Sequence, residues 1–184
     1  MKPFIWIILI NLILTGCQNS EPTSSEGMDL PVERPGISNM QDDLYKQIKS
    51  LDSLYFDVAY NHCDSALART LISSDFEFYH DKGGVLLDSA DELASEVMVE
   101  DFSWVCERTY RKLVNSSMEV FPLYEGEILY GAIQSGDQEF YDRENDTPTK
   151  LRTTAKFIHL WIIEPKDWKL RRVFSFDHQS VSQD

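Results

Sequence analysis

The segment Asp75-Phe76-Glu77-Phe78-Tyr79-His80-Asp81-Lys82-Gly83-Gly84 is the part of the sequence that best defines the fold. Within it, Phe76, Phe78 and His80 alternate with the residues between them, the period-two pattern of a β-strand. The glycine pair at its end supplies the flexible backbone of a tight turn. A hairpin or a short return strand over residues 85–87 is expected to follow, so the segment predicts a strand and the turn that ends it.

Helices are expected on both sides of this strand. Apolar residues recur at helical spacing from Leu44 to Ala59 and predict an amphipathic helix of about eighteen residues. Asp64 occupies the position of an N-cap, which predicts a second, short helix directly afterwards. After the strand, Ser89 and Glu92 have the spacing of a capping box, and the apolar residues that follow predict a third helix.

Beyond Trp104 the sequence becomes rich in Val, Ile, Tyr, Phe and Trp, which predicts strands. Turn residues at 125–126, 135–137 and 164–167 separate these stretches, and residues 142–150 predict a longer polar loop. The expected strands cover about residues 108–114, 117–123, 127–134, 153–163 and 168–177. Helices first and a meandering sheet afterwards predict an α+β domain with a mostly antiparallel sheet.

The order of these elements resembles the nuclear transport factor 2-like fold, and within it the SnoaL-like, ketosteroid-isomerase-like proteins. The resemblance covers about residues 44–178 and includes local stretches such as Lys-Phe-Ile-His-Leu-Trp at 156–161. It implies a cone, in which a curved, mostly antiparallel sheet wraps around about three N-terminal helices and leaves one open, largely apolar mouth (a cystatin-like fold). Such proteins isomerise, cyclise, dehydrate or hydrolyse small molecules, bind them, or assemble into dimers, and the fold alone does not choose among these.

The N-terminus has the pattern of an export signal that ends in a lipidation site. Lys2 precedes an apolar run that closes on Leu-Thr-Gly-Cys at residues 14–17. The run has the length of a signal-peptide core and is shorter than the ~20 residues that a membrane-spanning helix needs. It resembles the lipobox of bacterial lipoproteins, which implies removal of residues 1–16 and acylation of Cys17. Because Gln18 is not the aspartate associated with inner-membrane retention, the resemblance favours the outer membrane of the bacterial cell envelope.

Residues 17–40 are rich in Pro, Gly and Ser and predict a flexible tether, so the folded domain is expected at 41–180. The chain has a formal net charge of −14, and loss of Lys2 makes it one unit more negative. Nucleic acid is therefore not an expected partner, since phosphate binding needs a basic surface. For the same reason, membrane attachment is expected through the acyl chains on Cys17 and not through electrostatic adhesion.

Two cysteines remain after lipidation of Cys17, namely Cys63 and Cys106. An exported protein meets oxidising conditions, so the two either form a disulfide or stay as separate buried thiols. One sequence does not decide between these, because a bridge needs Cα atoms within ~4.4–6.8 Å.

The histidines are the natural candidates for acid–base work, since only histidine titrates near neutral pH without help. His159 lies in an expected strand between Phe157 and Trp161, and a shared inward face would place it in a cavity wall. Arg172 and His178 share parity on the next strand. We therefore predict His159 and Arg172 as catalytic candidates. The expected ligand-binding residues are Tyr55, His80, Trp161 and His178, with Tyr55 as the only counterpart that the resemblance offers for the oxyanion-binding tyrosine of steroid isomerases.

No motif implies a metal or a cofactor. The three histidines at expected strands lack a close ligand spacing such as His-x-His, and the glycine pair at 83–84 lacks the spacing of a phosphate loop. Three functions stay open: an envelope lipoprotein that binds a small, partly apolar molecule, an isomerase or hydrolase that uses His159 and Arg172, and an assembly module that forms a homodimer.

Overall fold

Three α-helices and seven β-strands make up the chain over residues 35–165 and 167–182, which the computed structural model describes. The helices are α1 (Pro35–Ser53), α2 (Ser65–Leu71) and α3 (Ala94–Cys106), with a π-helical segment at Leu54–Tyr60 and a short 3-10 turn at Asn115–Ser117. The strands are β1 (Ile72–His80), β2 (Gly84–Leu86), β3 (Thr109–Leu113), β4 (Glu119–Glu125), β5 (Ile128–Glu144), β6 (Thr147–Ile163) and β7 (Trp168–Ser180). The predicted signal peptide and Cys17 lie outside the described residues. Within them, no helix is both long and apolar enough for a membrane span.

The seven strands form one curved, mixed sheet in the order β2-β1-β7-β6-β5-β3, and β4 pairs with the first half of β5. All neighbouring pairs are antiparallel except β1 with β7, which is parallel. The helices cover one face, called the inner face below. The predicted α+β class and mostly antiparallel sheet are confirmed.

The first helix begins at Pro35, before the predicted domain boundary at 41, and continues without a break into the π-helical segment Leu54–Tyr60. A π-helical turn is wider than an α-helical one and is often found at functional sites. Its buried residues include Tyr55 and Tyr60, which face the sheet. The remaining part of the predicted tether, residues 17–34, lies outside the described residues.

The two shorter helices differ in how well their starts were predicted. Asp64 caps α2 as predicted, because its side chain accepts a hydrogen bond from the Leu67 amide at 2.9 Å. Ser89 does not cap α3. Its hydroxyl accepts from the Glu92 amide at 3.1 Å within a turn, and the helix starts only at Ala94, whose amide donates to Asp88.

The turn predicted at residues 135–137 and the loop predicted at 142–150 are both wrong. Strand β5 runs through the first region and pairs with β6 along nearly its whole length. The hairpin turns at Asn145 and Asp146, with φ of 47° and 62°. Two consecutive positive φ angles define the tight turn that matches strand twist, and Asn and Asp tolerate them well.

A bulge in β7 changes which side chains face inward. Asp177 has φ of 57°, and the pairing with β6 shifts register at this point. Val173 and Ser175 face inward at alternate positions, and the extra residue turns His178 to the same face. Because a one-residue shift exchanges the two faces of a strand, Arg172 and His178 lie on opposite faces despite their shared parity.

The core lies between the helices and the inner face of the sheet. Its largest fully buried apolar side chains are Ile48, Phe76, Phe157, Trp161 and Leu170. The backbone of β5 approaches β6 closely at Gly131, where an added Cβ would lie 2.6 Å from the Trp161 carbonyl oxygen. Only glycine therefore fits at this position beside the central tryptophan.

Candidate functional site

A cavity of about 420 Å³ lies between the helices and the inner face of the sheet. Its walls come from the π-helical segment, α3, the β1–β2 hairpin and inward residues of β5, β6 and β7. The aromatic side chains that line it are Tyr55, Phe56, Tyr60, Phe76, Phe78, Phe102 and Phe140, and the polar ones are His80, Gln138, His159 and Ser175. The cavity reaches solvent beside the β1–β2 hairpin, where the lining residue Val85 is exposed.

Four buried polar residues, Asp52, Arg111, Gln134 and His159, form what we call the inner cluster. The guanidinium of Arg111 donates two hydrogen bonds to the Asp52 carboxylate, at 2.7 and 3.2 Å, and both side chains are almost completely buried. Gln134 donates to the same carboxylate at 2.9 Å. The two charges therefore compensate each other inside the protein, as buried charges must.

The inner cluster fixes the tautomer of His159. Since the Asp52 carboxylate only accepts and the Trp161 indole only donates, the Gln134 amide must turn its nitrogen to Asp52 and its oxygen to Trp161. That oxygen also lies 3.2 Å from His159 Nδ1, which must therefore carry the proton. His159 Nε2 is left as an acceptor, and it has no hydrogen-bond partner among the described residues.

Burial keeps His159 neutral. Removal of the ring from water lowers its pKa to about 3, while Asp52 acts in the opposite direction and Arg111 adds to the lowering. The ring stacks on Phe56, with centroids 5.4 Å apart, and lies 4.4 Å from the Phe157 ring. An uncharged imidazole held between aromatic rings can accept a hydrogen bond from a ligand in the cavity.

Two tyrosines supply hydroxyl groups near the helical wall. Tyr60 shares a hydrogen bond of 2.6 Å with the Thr109 hydroxyl, and burial raises its pKa to about 12. Burial likewise raises the pKa of Tyr55, helped by the nearby Tyr60, so its hydroxyl keeps its proton. The Tyr55 hydroxyl has no partner within the described parts of the chain, and it lines the cavity as a free donor.

A second group of polar residues, His80, Asp81, Ser175 and His178, lies toward the open side of the cavity and is called the rim cluster below. Asp81 accepts from the His178 amide at 3.1 Å and from His178 Nδ1 at 2.5 Å. Although desolvation alone raises it, the pKa of Asp81 is lowered by these two hydrogen bonds and by the nearby histidines. His178 Nε2 lies 3.3 Å from the Ser175 hydroxyl.

His80 stacks on His178, with ring centroids 4.2 Å apart and planes 17° apart. Its Nδ1 accepts hydrogen bonds from the amides of Lys82 and Gly83, at 3.0 and 2.9 Å. The proton of the neutral ring is therefore on Nε2. Desolvation lowers the pKa of His80, as do His178 and Lys82, whereas Asp81 raises it.

Gln138 connects the two clusters. Arg111 Nε donates to its oxygen at 3.2 Å, and its nitrogen donates to the Ser175 hydroxyl at 3.0 Å. A continuous series of hydrogen bonds thus runs from Arg111 through Gln138, Ser175 and His178 to Asp81. Such a series orients each of its hydroxyl and amide groups.

His80, Asp81 and His178 are also the residue types that bind transition metals, and one potential ligand atom of each lies within 4.8 Å of the others. Two features of their arrangement oppose a shared ion. The Nδ1 of His80 already accepts two amides, and the Nδ1 of His178 is bonded to the Asp81 carboxylate. We therefore describe the rim cluster as a hydrogen-bonded group.

The predicted site residues are only partly brought together. Tyr55, His80 and His159 line the cavity, and His178 reaches it through Ser175. Trp161 faces inward as predicted but is fully buried and does not line the cavity, since its indole is used to hold Gln134.

Arg172 does not line the cavity either. The pairing of β6 with β7 also shifts register between Leu160 and Trp161, and this second bulge puts Arg172 on the opposite face from the inward Leu170 and Val173. There it binds Glu77 at 2.7 Å and the backbone oxygen of Asp75. The sequence-based pairing of His159 with Arg172 in one catalytic site is thus not supported by the structure.

Sequence reasoning missed Asp52, Arg111, Gln134, Gln138 and Ser175. A signal existed for Asp52 in the spacing of the first helix. It follows the buried Ile48 by four residues and precedes the buried Tyr55 by three, so a charged residue occupies the apolar stripe. Gln138 was hidden by the turn predicted at 135–137, and Gln134 was placed at the end of the strand before that turn.

Cys63 and Cys106 form a disulfide, with Cα atoms 5.5 Å apart. It joins the loop after the π-helical segment to the last residue of α3, and both of these elements line the cavity. Arg143 donates to the Cys106 carbonyl oxygen at 2.6 Å and fastens the same corner to β5. The bridge therefore holds the helical wall of the site.

The arrangement of elements defines the class of protein: the chain has the nuclear transport factor 2-like, cystatin-like fold. No protein-family model and no curated protein sequence matches it. A nuclear transport factor 2-like superfamily protein of Salmonella enterica serovar Typhimurium is 15% identical, with a TM-score of 0.56 over 77% of this chain and 94% of its own.

Two proteins of Novosphingobium are also similar in fold. A nuclear transport factor 2-like protein of N. aromaticivorans with a cystatin-like fold is 15% identical, with a TM-score of 0.54 over 81% of this chain and 90% of its own. A hexachlorocyclohexane dehydrochlorinase of N. barchaimii is 10% identical, with a TM-score of 0.52 over 80% and 94%. At these identities the likeness shows the fold alone.

Proposed function

We propose that this domain binds a small, partly apolar molecule in its cavity. The observation that carries the proposal is an aromatic cavity of about 420 Å³ in which two polar atoms, the Tyr55 hydroxyl and His159 Nε2, have no partner among the described residues. Ligand pockets of this size are mostly apolar with a few polar groups that orient the ligand. The fitting ligand has a flat apolar body and a hydroxyl or similar group that both donates and accepts.

The two polar atoms make the expected ligand chemistry specific. His159 Nε2 can accept a hydrogen bond and the Tyr55 hydroxyl can donate one, so the hydroxyl group of a phenol or enol suits either contact. A strongly anionic group is disfavoured there, because Arg111, the cation of the inner cluster, is already paired with Asp52. The proposed ligand is therefore neutral.

A pair of probe compounds tests this proposal directly. Naphthalene and 2-naphthol have the same flat body and differ by one hydroxyl group, and their binding can be followed by tryptophan fluorescence and by thermal shift. We expect 2-naphthol to bind roughly tenfold more tightly, since two neutral hydrogen bonds contribute about 1–2 kcal/mol in total. If neither compound raises the melting temperature, the cavity is not a binding site of this kind.

Matched variants locate the binding site. Tyr55→Phe removes only the cavity hydroxyl, and His159→Asn keeps a donor toward Gln134 while it removes Nε2. Each is expected to reduce the preference for 2-naphthol to about threefold. Tyr79→Phe is the control, because Tyr79 bonds to Glu77 away from the cavity and stacks on Phe174. An equal loss in all three variants would contradict the proposed contacts.

We further propose that the protein is a bacterial envelope lipoprotein, attached by acyl chains on Cys17, with the outer membrane as its expected location. This proposal rests on the sequence of residues 1–18. It is tested by labelling of cells with an alkyne fatty acid, which should mark the wild type and the Cys63→Ser variant but not Cys17→Ser. Labelling that persists in Cys17→Ser would show that the cysteine is not the acylated residue.

A second candidate function is assembly of two copies through the sheet. Large apolar side chains are exposed on the β4–β5 hairpin and at the end of β6, namely Phe121, Tyr124, Ile128, Tyr130 and Ile163. An exposed apolar group of this kind can mark a contact with another protein chain. Sedimentation from 1 to 100 μM should then show a dimer that Ile128→Lys weakens, whereas a monomer at every concentration would eliminate this candidate.

A further inference from the structure

We propose that Ser175, His178 and Asp81 form a catalytic site that hydrolyses esters of small, partly apolar alcohols or acids. The inference rests on the proposed function, since the cavity that binds the small molecule would hold the ester. Ser175 lines that cavity, and the three side chains come from two strands that are neighbours in the sheet, β1 with its following turn and β7. Serine, histidine and aspartate in this order are the groups of a hydrolytic triad, which is recognised by geometry and not by sequence order.

The hydrogen bonds fix the direction of every proton in this group. Because the Asp81 carboxylate only accepts, His178 Nδ1 carries a proton and donates it over 2.5 Å. The neutral ring then has an acceptor at Nε2, which lies 3.3 Å from the Ser175 hydroxyl. A base in hydrogen-bond reach of a hydroxyl, and itself oriented by a third group, is the arrangement that activates a serine.

Gln138 places the serine oxygen. Arg111 can only donate, so the Gln138 amide presents its oxygen to Arg111 and its nitrogen to Ser175. The serine oxygen therefore accepts one hydrogen bond from Gln138 and sends its own proton toward His178. Its remaining lone pair is the one available for attack.

His80 supplies a hydrogen-bond donor beside the serine. His80 and Ser175 are directly opposite each other in the β1–β7 pairing, and both line the cavity. Since His80 Nδ1 accepts two backbone amides, its Nε2 carries the proton and can donate to an oxygen that becomes negative. Donors already in place stabilise the charge that develops in acyl transfer.

The reaction then proceeds in two balanced halves. The Ser175 oxygen bonds to the ester carbonyl carbon, its proton moves to His178 Nε2, and the carbonyl oxygen becomes negative. The carbon–oxygen bond to the alcohol breaks, and the alcohol leaves with the proton from His178. Water repeats the sequence on the acyl-serine, gives a carboxylic acid and restores the serine, so that ester and water become acid and alcohol.

The inner cluster cannot perform this chemistry, although it contains a histidine. His159 Nδ1 binds an amide oxygen and Asp52 is occupied by Arg111, so no hydroxyl group of the described residues is bonded to either His159 nitrogen. The same cavity thus has a deep end suited to orient a ligand and a rim suited to attack it.

The test uses a fluorophosphonate, which bonds to an activated serine as fluoride leaves. The purified protein is incubated with the probe, and the adduct is located by peptide mass spectrometry. We expect one adduct on Ser175 and slowed labelling in the presence of excess 2-naphthol. No adduct, or an adduct on any other residue of the wild type, overturns the inference.

Variants separate activation from mere accessibility. His178→Gln should slow labelling at least 100-fold, the usual contribution of a general base, and Asp81→Asn should do so by a similar factor because it favours the other histidine tautomer. For Asp81→Asn, which acts through His178, the maximal labelling rate should fall while half-saturation by the probe is unchanged. Ser180→Ala, at the exposed end of the same strand, is the control and should label like the wild type.

The outcomes also distinguish this inference from the binding function. Wild-type protein that binds 2-naphthol but does not react overturns only the catalytic site. Protein that does neither overturns the binding proposal as well. If Ser175→Ala fails to fold, the adduct position in the wild type still decides, and equal labelling rates in His178→Gln and wild type would contradict the role of the base.

Discussion

The two ends of the cavity use similar residues in different surroundings. The inner cluster places a histidine, an aspartate and a glutamine within a fully buried network, whereas the rim cluster joins the buried Ser175 and His178 to the partly exposed His80 and Asp81. At the deep end burial holds the histidine neutral, and among the described side chains of the inner cluster the polar groups other than His159 Nε2 are hydrogen-bonded. The comparison shows that the hydrogen-bond partners of the two ring nitrogens, and not the residue type, determine which histidine can act as a base.

The largest expected effect follows from breaking the buried ion pair. Arg111→Met leaves the Asp52 carboxylate buried without its partner, which should lower the free energy of unfolding by about 3–5 kcal/mol. Urea unfolding measures this. Arg152→Met is the matched control, because that arginine pairs with Asp142 on the surface and should cost less than about 1 kcal/mol. Similar losses in both variants would contradict the distinction between buried and exposed pairs.

The second expected effect concerns the wall of the deep end. The disulfide closes a loop between two cysteines that are 43 positions apart in the sequence. Because such a bridge restricts the unfolded chain, replacement of Cys63 and Cys106 by serine should lower the free energy of unfolding by about 2–4 kcal/mol. Because the bridge holds the π-helical segment, 2-naphthol should also bind more weakly. Unfolding with and without a reductant provides an independent measurement, and unchanged stability on reduction would show that the bridge is not formed in solution.

The third effect is the pH dependence of stability that the neutral His159 causes. The unfolded chain takes up a proton on His159 near pH 6.5, but the native ring does so only near pH 3, so the unfolded state binds more protons in between. Stability should therefore fall as pH decreases below 6.5, by about 1.4 kcal/mol per unit from this residue. His159→Asn should have a correspondingly shallower slope, while the exposed His62→Asn control keeps the wild-type slope. Equal slopes in all three proteins would mean that His159 is not held neutral.

The smallest expected effect is that of Arg172→Met. Arg172 pairs with Glu77 and Asp75 outside the cavity in a partly exposed network. Its loss should change stability by at most about 1 kcal/mol and leave 2-naphthol affinity unchanged within about twofold. A large loss of affinity would contradict the position of Arg172 outside the cavity.

Local pattern accounts for several parts of the fold that were predicted correctly. The alternation around Phe76, the N-cap at Asp64 and the aromatic alternation at 157–161 each depend on residues within one element. The register of strand pairing does not depend on residues within one element. The turn predicted at Ser135-Gly136-Asp137 is composed of turn-forming residues, yet pairing with β6 on one side keeps the strand extended. Tertiary hydrogen bonding overrode local propensity there.

Strand parity placed His159 on the inward face of β6, whereas Tyr55, which lies on the helical wall, was proposed from the resemblance to steroid isomerases. Ser175 was missed because a serine among alternating residues has no distinguishing pattern, and Arg172 was misplaced because a bulge is not visible in residue types alone.

The sequence by itself determined the α+β class, the buried face of β6, the capping of α2 and the acidic surface charge, because these depend on composition and on neighbours a few residues apart. Only the tertiary structure decided which polar groups meet. Asp81 and His178 are 97 positions apart, and Asp52 and Arg111 are 59 apart. Contacts over such separations depend on strand order and on single-residue shifts of register, each of which turns a side chain from one face of the sheet to the other.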